Sequence, residues 1–125
     1  MPIHVTWAND DHTAIFWEHI GVWTLADHEK AVQQSFEMIC TMPHRVDIIA
    51  DYSKGTPPQN IFRRTLLAKL RAPENYGQCF VFGYSEYGRQ VLYLLSRLPA
   101  TRGSLVYVDS FEDAVEQIIL QRRHT

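Results

Sequence analysis

The spacing of apolar residues changes along the chain, and these changes predict where strands and helices lie. Residues 3–8 and 13–23 are rich in β-branched and aromatic side chains, which is typical of strands, and the polar residues 9–12 between them predict a turn. Three further apolar runs have the length of strands: 46–51, 79–83 and 105–108. The chain is therefore expected to contain five strands, of which the first two form a hairpin.

Apolar residues at helical spacing predict a helix directly after the hairpin. Thr24 followed by Asp27 has the spacing of a capping box, and Pro43 ends the segment because proline does not continue a helix. The buried stripe of this helix is expected to comprise Leu25, Val32, Phe36, Ile39 and Cys40.

Three more helices are predicted downstream of the third strand. Two are expected at about 58–71 and 86–98, and Pro73 stops the first of these. The segment from Ser110 to Asp113 has the composition of an N-terminal cap for a last helix. The buried stripe of that helix is expected to comprise Phe111, Ala114, Val115, Ile118 and Ile119.

The predicted order of elements is β-β-α-β-α-β-α-β-α over residues 1–125, which we interpret as a single domain. Strands that alternate with helices are joined by right-handed crossovers and form parallel sheets. The last three strands are apolar on both faces, as covered parallel strands are, whereas the hairpin adds an antiparallel edge. The predicted fold class is α/β, with a mixed, mostly parallel five-stranded sheet and four helices.

Composition and charge narrow the possible environments and partners. The chain of 125 residues is 46% hydrophobic and 21% charged, which suffices for one buried core. Its net charge of -2 gives no electrostatic attraction to nucleic acid or to an acidic membrane, so neither is expected as a partner. Residues 1–11 lack the features of a signal peptide, and Cys40 and Cys79 form no CxxC motif. We therefore expect a cytoplasmic protein with reduced thiols, Cys79 being buried.

The sequence carries no recognised catalytic or metal-binding motif. Its six histidines show no HxxxH or HExxH spacing, although His4 and His12 could face each other across the hairpin. The segment FGYSEYGRQ places Ser85 at a strand-to-helix turn, but its second glycine comes too late for GxSxG. We therefore predict no catalytic residues, no metal and no cofactor, and a protein that is not an enzyme.

The segment DYSKGTPPQN, residues 51–60, directly follows the third predicted strand. Open α/β sheets bind ligands at the carboxyl ends of their strands, and the N-terminus of a following helix stabilises an anion. Ser53, Lys54, Gly55 and Thr56 are therefore candidate residues for binding a partner or an anion. A purely structural alternative is that Thr56 caps the next helix and Gly55 allows the bend.

Three segments resemble the STAS-like domains, a group named after sulfate transporters and anti-sigma-factor antagonists. They are HIGVWTLADHEKAV at 19–32, VDIIADYS at 46–53 and LVYVDSFEDAVEQIIL at 105–120. The resemblance implies a regulatory domain in which a partner kinase phosphorylates a serine after the third strand and thereby switches binding to that partner off. The family pattern there is Asp-Ser-Ser-Gly, of which residues 51–56 keep an acid, a serine and a glycine but not the full motif.

Five aromatic residues cluster in the first half of the chain: Trp7, Phe16, Trp17, Trp23 and Tyr52. Core packing is their usual role, although exposed members could form a homodimer or ligand surface. The leading hypothesis is a non-enzymatic regulatory or protein-interaction domain that binds a protein partner through the residues after the third strand. The alternative is a small-molecule or anion-binding protein that uses the helix N-termini and the aromatic hairpin.

Overall fold

The computed structural model of the protein describes residues 2–56, 58, 61, 64, 67–68, 70–84, 90 and 105–123. The strands in this part of the chain are β1 (Ile3–Trp7), β2 (Ala14–Val22), β3 (Val46–Thr56), β4 (Tyr76–Phe82) and β5 (Leu105–Tyr107), and its helices are α1 (Leu25–Cys40) and α2 (Phe111–Arg123). Neither helix is long and apolar enough to span a membrane.

The five strands form one sheet in the order β1-β2-β3-β4-β5. β1 runs antiparallel to β2, and the other neighbouring strands run parallel. Asn9 ties the hairpin turn, since its Nδ2 donates to Thr13 Oγ1 at 2.6 Å and its Oδ1 accepts from the Thr13 backbone N–H at 3.1 Å. The predicted mixed, mostly parallel five-stranded sheet is confirmed.

Two complete helices lie within the described residues, where the sequence predicts four. The predicted helices at 58–71 and 86–98 fall largely outside the described part of the chain, although the described positions 61, 64, 67 and 68 are helical. The two helices that are described lie where the first and last helices were predicted.

Both predicted helix caps are confirmed. Thr24 Oγ1 accepts a hydrogen bond from the Asp27 backbone N–H at 3.1 Å, and Asp27 Oδ2 accepts one from the Thr24 backbone N–H at 2.9 Å. At the start of α2, Ser110 Oγ accepts from the Asp113 backbone N–H at 3.1 Å. Each cap satisfies N–H groups that lack a partner within the helix, which is why short polar residues at this spacing mark a helix start.

The sheet carries a core on each face, because successive side chains of a strand point to opposite sides. On β3, Ile48 and Ala50 belong to the core that includes α1, whereas Ile49 between them belongs to the core that includes α2. The first core also contains Ile15, Trp17, Val32, Ile39, Cys79 and Val81. The second is smaller and consists of Ala14, Ile49, Phe80, Val108, Ala114 and Ile118. The two helices therefore pack on opposite faces of the sheet.

The buried stripes of the helices differ in part from the predicted ones. The buried residues of α1 are His28, Ala31, Val32, Ser35 and Ile39. Cys40 was predicted to be buried but is exposed, because it lies one residue beyond Ile39 and thus about 100° further around the helix. Ile119 is also 47% exposed, next to the buried Ile118, for the same reason. The prediction that Cys79 is buried is confirmed.

Two strands extend beyond their predicted limits. β3 was predicted to end at Asp51, but it continues to Thr56 because its last residues pair in register with the end of β2. β4 begins at Tyr76 rather than at Cys79, since Tyr76 pairs with Val46 at the start of β3. Backbone pairing with a neighbouring strand sets these limits, and it leaves little trace in the local sequence.

Replacing Thr24 with alanine should lower the free energy of unfolding by about 1 kcal/mol, because it removes the side-chain acceptor of the α1 cap. Urea-induced unfolding followed by circular dichroism measures this change. Gln34→Ala, at an exposed position of the same helix, is the matched control and should leave stability nearly unchanged. Equal stability of the Thr24→Ala variant and the wild type would contradict the cap.

Candidate functional site

The predicted binding residues Ser53, Lys54, Gly55 and Thr56 lie in the last part of β3 and not in a loop. Lys54 pairs with Ile20 and Gly55 with Gly21 of the neighbouring strand β2. Thr56 is the last residue of the strand, and most of the segment predicted to start the next helix lies outside the described residues. The site is thus built on paired strands, which hold it more rigidly than a loop would.

A β-bulge decides which face each of these residues occupies. Glu18 pairs with Asp51 and Ile20 pairs with Lys54, so β3 advances by one residue more than β2 over this interval. Beyond the bulge, Lys54 lies on the face of Glu18, with its Nζ 3.2 Å from Glu18 Oε2. Gly55 instead faces the α1 side, where an added Cβ would lie 3.0 Å from His19 Cβ and 3.0 Å from Trp23 Nε1.

On the α2 side, the carboxyl-end part of the sheet carries a patch that mixes apolar and charged side chains. We call Glu18, Ile20, Val22 and Lys54 the outer patch. Ile20 is 43% exposed and Val22 is 79% exposed, so two large apolar side chains lie next to each other on one exposed face of β2. Nearer the amino ends of the parallel strands, α2 covers the same face, where the ring of Phe111 meets that of Phe16 edge-on at 5.2 Å.

Ser53 lies exposed beside the outer patch, at the bulge. Its hydroxyl donates to Asp51 Oδ1 at 2.6 Å, and its backbone N–H donates to the same oxygen at 2.8 Å. The end of β4 approaches it closely, since a Cβ at Gly83 would lie 2.5 Å from the Ser53 backbone nitrogen. Gly83 also has a φ of +85°, so both its conformation and its surroundings favour glycine.

A buried group of polar aromatic side chains, which was not predicted from the sequence, lies on the α1 side of the same strand ends. We call His19, Trp23 and His28 the His–Trp cluster; their exposed fractions are 0%, 1% and 2%. The ring centroids of His19 and Trp23 are 4.6 Å apart, and those of Trp23 and His28 are 6.2 Å apart. Tyr52 stacks on His19 at 4.1 Å and on Tyr84 at 4.2 Å. The predicted core packing of Trp17, Trp23 and Tyr52 is confirmed.

The sequence contains a signal for this burial. His19 continues the alternation of Ile15 and Trp17 along β2, and His28 precedes Val32 by one helical turn on the buried stripe of α1. The spacing of the histidines relative to one another gives no sign of this burial, whereas their places in the apolar pattern do.

Four buried nitrogen atoms of the His–Trp cluster have no hydrogen-bond partner within the part of the chain that the structure describes: His19 Nε2, Trp23 Nε1, His28 Nδ1 and His28 Nε2. Such groups are rare in folded proteins, and each costs about 1–3 kcal/mol of stability. Nearby, Trp17 shows the usual arrangement, since its Nε1 donates to Ser35 Oγ at 2.7 Å. The cluster therefore holds hydrogen-bonding capacity that the described residues leave unused.

Burial keeps the two histidines uncharged at neutral pH. It lowers the pKa of His19 to about 4, although the hydrogen bond with the Asp51 backbone carbonyl opposes this shift. Burial lowers the pKa of His28 to about 4 as well, and the nearby His19 adds to the shift. Because a carbonyl oxygen only accepts, His19 Nδ1 carries the proton in its 2.8 Å hydrogen bond to Asp51, which leaves Nε2 as an acceptor.

The other residues considered for chemistry are not brought together. His4 pairs across the hairpin with Glu18, whereas His12 lies in the turn and stacks on Trp7 at 4.3 Å. No group of three or more His, Cys, Asp or Glu side chains that could hold a metal ion occurs among the residues that the structure describes. Ser85 falls outside the described residues.

Comparison with known proteins identifies the fold. No protein-family model and no curated protein matches this sequence. Among solved structures, the chain is similar to an uncharacterised protein from the DUF3478 family of Shewanella loihica PV-4, which has a SpoIIAA-like fold. The alignment covers 92% of this chain and 90% of that protein, with a TM-score of 0.64 and 14% sequence identity. The chain therefore has a STAS-like fold, as its sequence predicted.

The buried histidines should make stability depend on pH. Unfolded histidine binds a proton below about pH 6.5, whereas folded His19 and His28 do so only below about pH 4, so protons favour the unfolded state in this interval. The free energy of unfolding should fall as the pH is lowered through it, by up to about 3 kcal/mol for each histidine. Urea unfolding at a series of pH values measures this slope.

A substitution at His28 separates this effect from the titration of carboxylates. His28→Phe removes one of the two groups and should flatten the slope, whereas His4→Phe, at a half-exposed position, should leave it unchanged. The same slope in the wild type and in His28→Phe would show that the burial of His28 does not govern acid sensitivity.

Proposed function

We propose that this chain is a non-enzymatic binding domain of the STAS type, and that it docks a protein partner on the outer patch. The exposure of Ile20 and Val22 beside the ion pair of Glu18 and Lys54 is the observation that carries the proposal. The STAS-like fold supports the class of domain.

The chemistry of the outer patch suits a protein surface better than a small ligand. Ile20 and Val22 project from a paired strand and offer apolar anchors that need little ordering on binding. Lys54 has 62% of its side chain exposed and Glu18 has 28%, so the patch presents both signs of charge at its border. Apolar anchors with a charged rim are the usual composition of a protein–protein interface. A partner with an apolar ridge flanked by both an acidic and a basic group would match it.

Ser53 provides a means of regulation next to this surface. The residue is exposed, as a kinase substrate must be, and the STAS-like resemblance implies phosphorylation after the third strand. A phosphate there would lose the hydrogen bond that Ser53 donates to Asp51 and would be repelled by that carboxylate, while Lys54 would attract it. A partner docked on the outer patch would meet an additional, partly desolvated charge, and its binding would weaken.

Val22→Asp should abolish capture of the partner from a native lysate while leaving the melting temperature nearly unchanged, because the side chain is 79% exposed. Leu70→Asp is the matched control, since Leu70 is 83% exposed and lies outside the patch. Equal capture by both variants would overturn the outer patch as the docking surface. Sedimentation analysis of the purified chain identifies the case in which the partner is a second copy, because the wild type is then a dimer and Val22→Asp is not.

Ser53→Asp should weaken capture of the same partner, whereas Ser53→Ala should not. Both variants remove the hydroxyl that donates to Asp51. A loss of stability that both share therefore measures the contribution of that hydrogen bond to folding. Capture from lysate and thermal unfolding are measured on the two variants in parallel. Wild-type capture by a folded Ser53→Asp variant would argue against regulation at this position.

A further inference from the structure

The His–Trp cluster lies where open α/β sheets hold their ligands. His19 and Trp23 lie at the carboxyl end of β2, Tyr52 and Gly55 lie in the carboxyl-end part of β3, and Tyr84 follows β4. Ligands of such sheets bind beyond the carboxyl ends of the strands. The cluster is separate from the outer patch, because His19 and Gly55 point to the opposite face from Glu18 and Lys54.

The hydrogen-bonding character of these four nitrogen atoms defines the kind of molecule that would bind to them. His19 Nε2 is an acceptor, because Nδ1 of the same ring donates to the Asp51 backbone carbonyl. Trp23 Nε1 is a donor, and neutral His28 offers one donor and one acceptor. A complementary molecule must therefore both donate and accept hydrogen bonds.

The cluster also selects against charge. Its three members are uncharged at neutral pH, and they are walled by the aromatic rings of Trp17 and Tyr52. The charged groups that act on the cluster lie at its edge: Asp51, engaged by Ser53, beside His19, and Glu29, Arg64 and Arg71 near His28, of which Glu29 and Arg71 pair with each other. An anion would meet the lone pair of His19 Nε2, and a cation would meet the N–H of Trp23, while no charged side chain within the cluster itself would compensate the loss of water.

We propose that the His–Trp cluster binds a small uncharged molecule with both a hydrogen-bond donor and an acceptor, of the primary-amide kind. The amide oxygen accepts from Trp23 Nε1, the amide nitrogen donates to His19 Nε2, and His28 contacts either group. The three side chains are direct neighbours, with ring centroids 4.6 Å and 6.2 Å apart, so a molecule that enters between them contacts all three. Because the four nitrogens are shielded from water, the side chains around them must separate for the molecule to enter, and its hydrogen bonds are then strengthened by the low dielectric.

Three molecules of the same shape test the proposal on the wild-type protein: acetamide, acetate and acetamidinium. They differ in charge and in hydrogen-bonding pattern, and acetamide is the neutral member that both donates and accepts. NMR spectroscopy of 15N-labelled protein follows the imidazole nitrogens and the indole N–H groups during titration to millimolar concentrations, the range expected for so small a ligand. Acetamide should shift the signals of His19 and Trp23 saturably, with an affinity at least about tenfold above that of the two ions.

Two results of these titrations would overturn the proposal. Tighter binding of acetate would make the cluster an anion site, and the absence of saturable shifts with all three molecules would leave the nitrogens with a structural role alone. Neither result depends on whether the outer patch binds a partner, since no partner is present in the experiment.

Trp23→Phe tests the assignment of the donor. It removes the indole N–H while keeping an aromatic ring, and should weaken acetamide binding about tenfold, whereas His4→Phe should not change it. Unchanged affinity in a folded Trp23→Phe variant would overturn the role of Trp23. The wild-type titrations decide the proposal even where the variant does not fold.

Discussion

The pairing of β2 with β3 is the constraint on which both candidate surfaces depend. β3 gains one residue over β2 between Asp51 and Lys54, so the alternation of its side chains is reversed beyond the bulge. Lys54 then points outward to Glu18, and Gly55 points inward beneath Trp23. Without the extra residue, a lysine would face the buried aromatic rings, where an uncompensated charge is costly.

This arrangement keeps charge and aromatic surface on different sides of the same strands. The described charges at this end of the sheet are paired or hydrogen-bonded on the α2 side, Glu18 with Lys54 and Asp51 with Ser53. The His–Trp cluster on the α1 side is itself neutral, since burial holds both of its histidines unprotonated at neutral pH. A protein partner on one side and a small molecule on the other would therefore contact the same two strands without competing for the same side chains.

The buried nitrogens distinguish the cluster from ordinary core packing. Trp17 lies in the same core and donates to Ser35, whereas His28, in contact with Trp17, finds no partner for either nitrogen among the described residues. A core optimised for stability alone would place apolar side chains at such positions, because an unpaired polar group weakens the fold. The proposed amide site and the expected acid sensitivity of the fold thus have the same cause, which is the burial of the histidine and tryptophan side chains of the cluster.

The features that depend on neighbouring residues could be read from the amino-acid sequence: the caps of α1 and α2, the apolar strands and the α/β order, which together predict the STAS-like fold. These were predictable because caps and periodicity involve contacts within one or two turns or along one strand. Ser53 and Lys54 were identified as candidates, but their place on a strand, and the inward turn of Gly55, were decided by pairing with β2. The His–Trp cluster joins residues of β2, of the segment after it and of α1, and tertiary packing on the α1 side of the sheet closes it off from water. Long-range packing decides burial, and burial decides both the pKa values of these histidines and which of their nitrogens lack a partner.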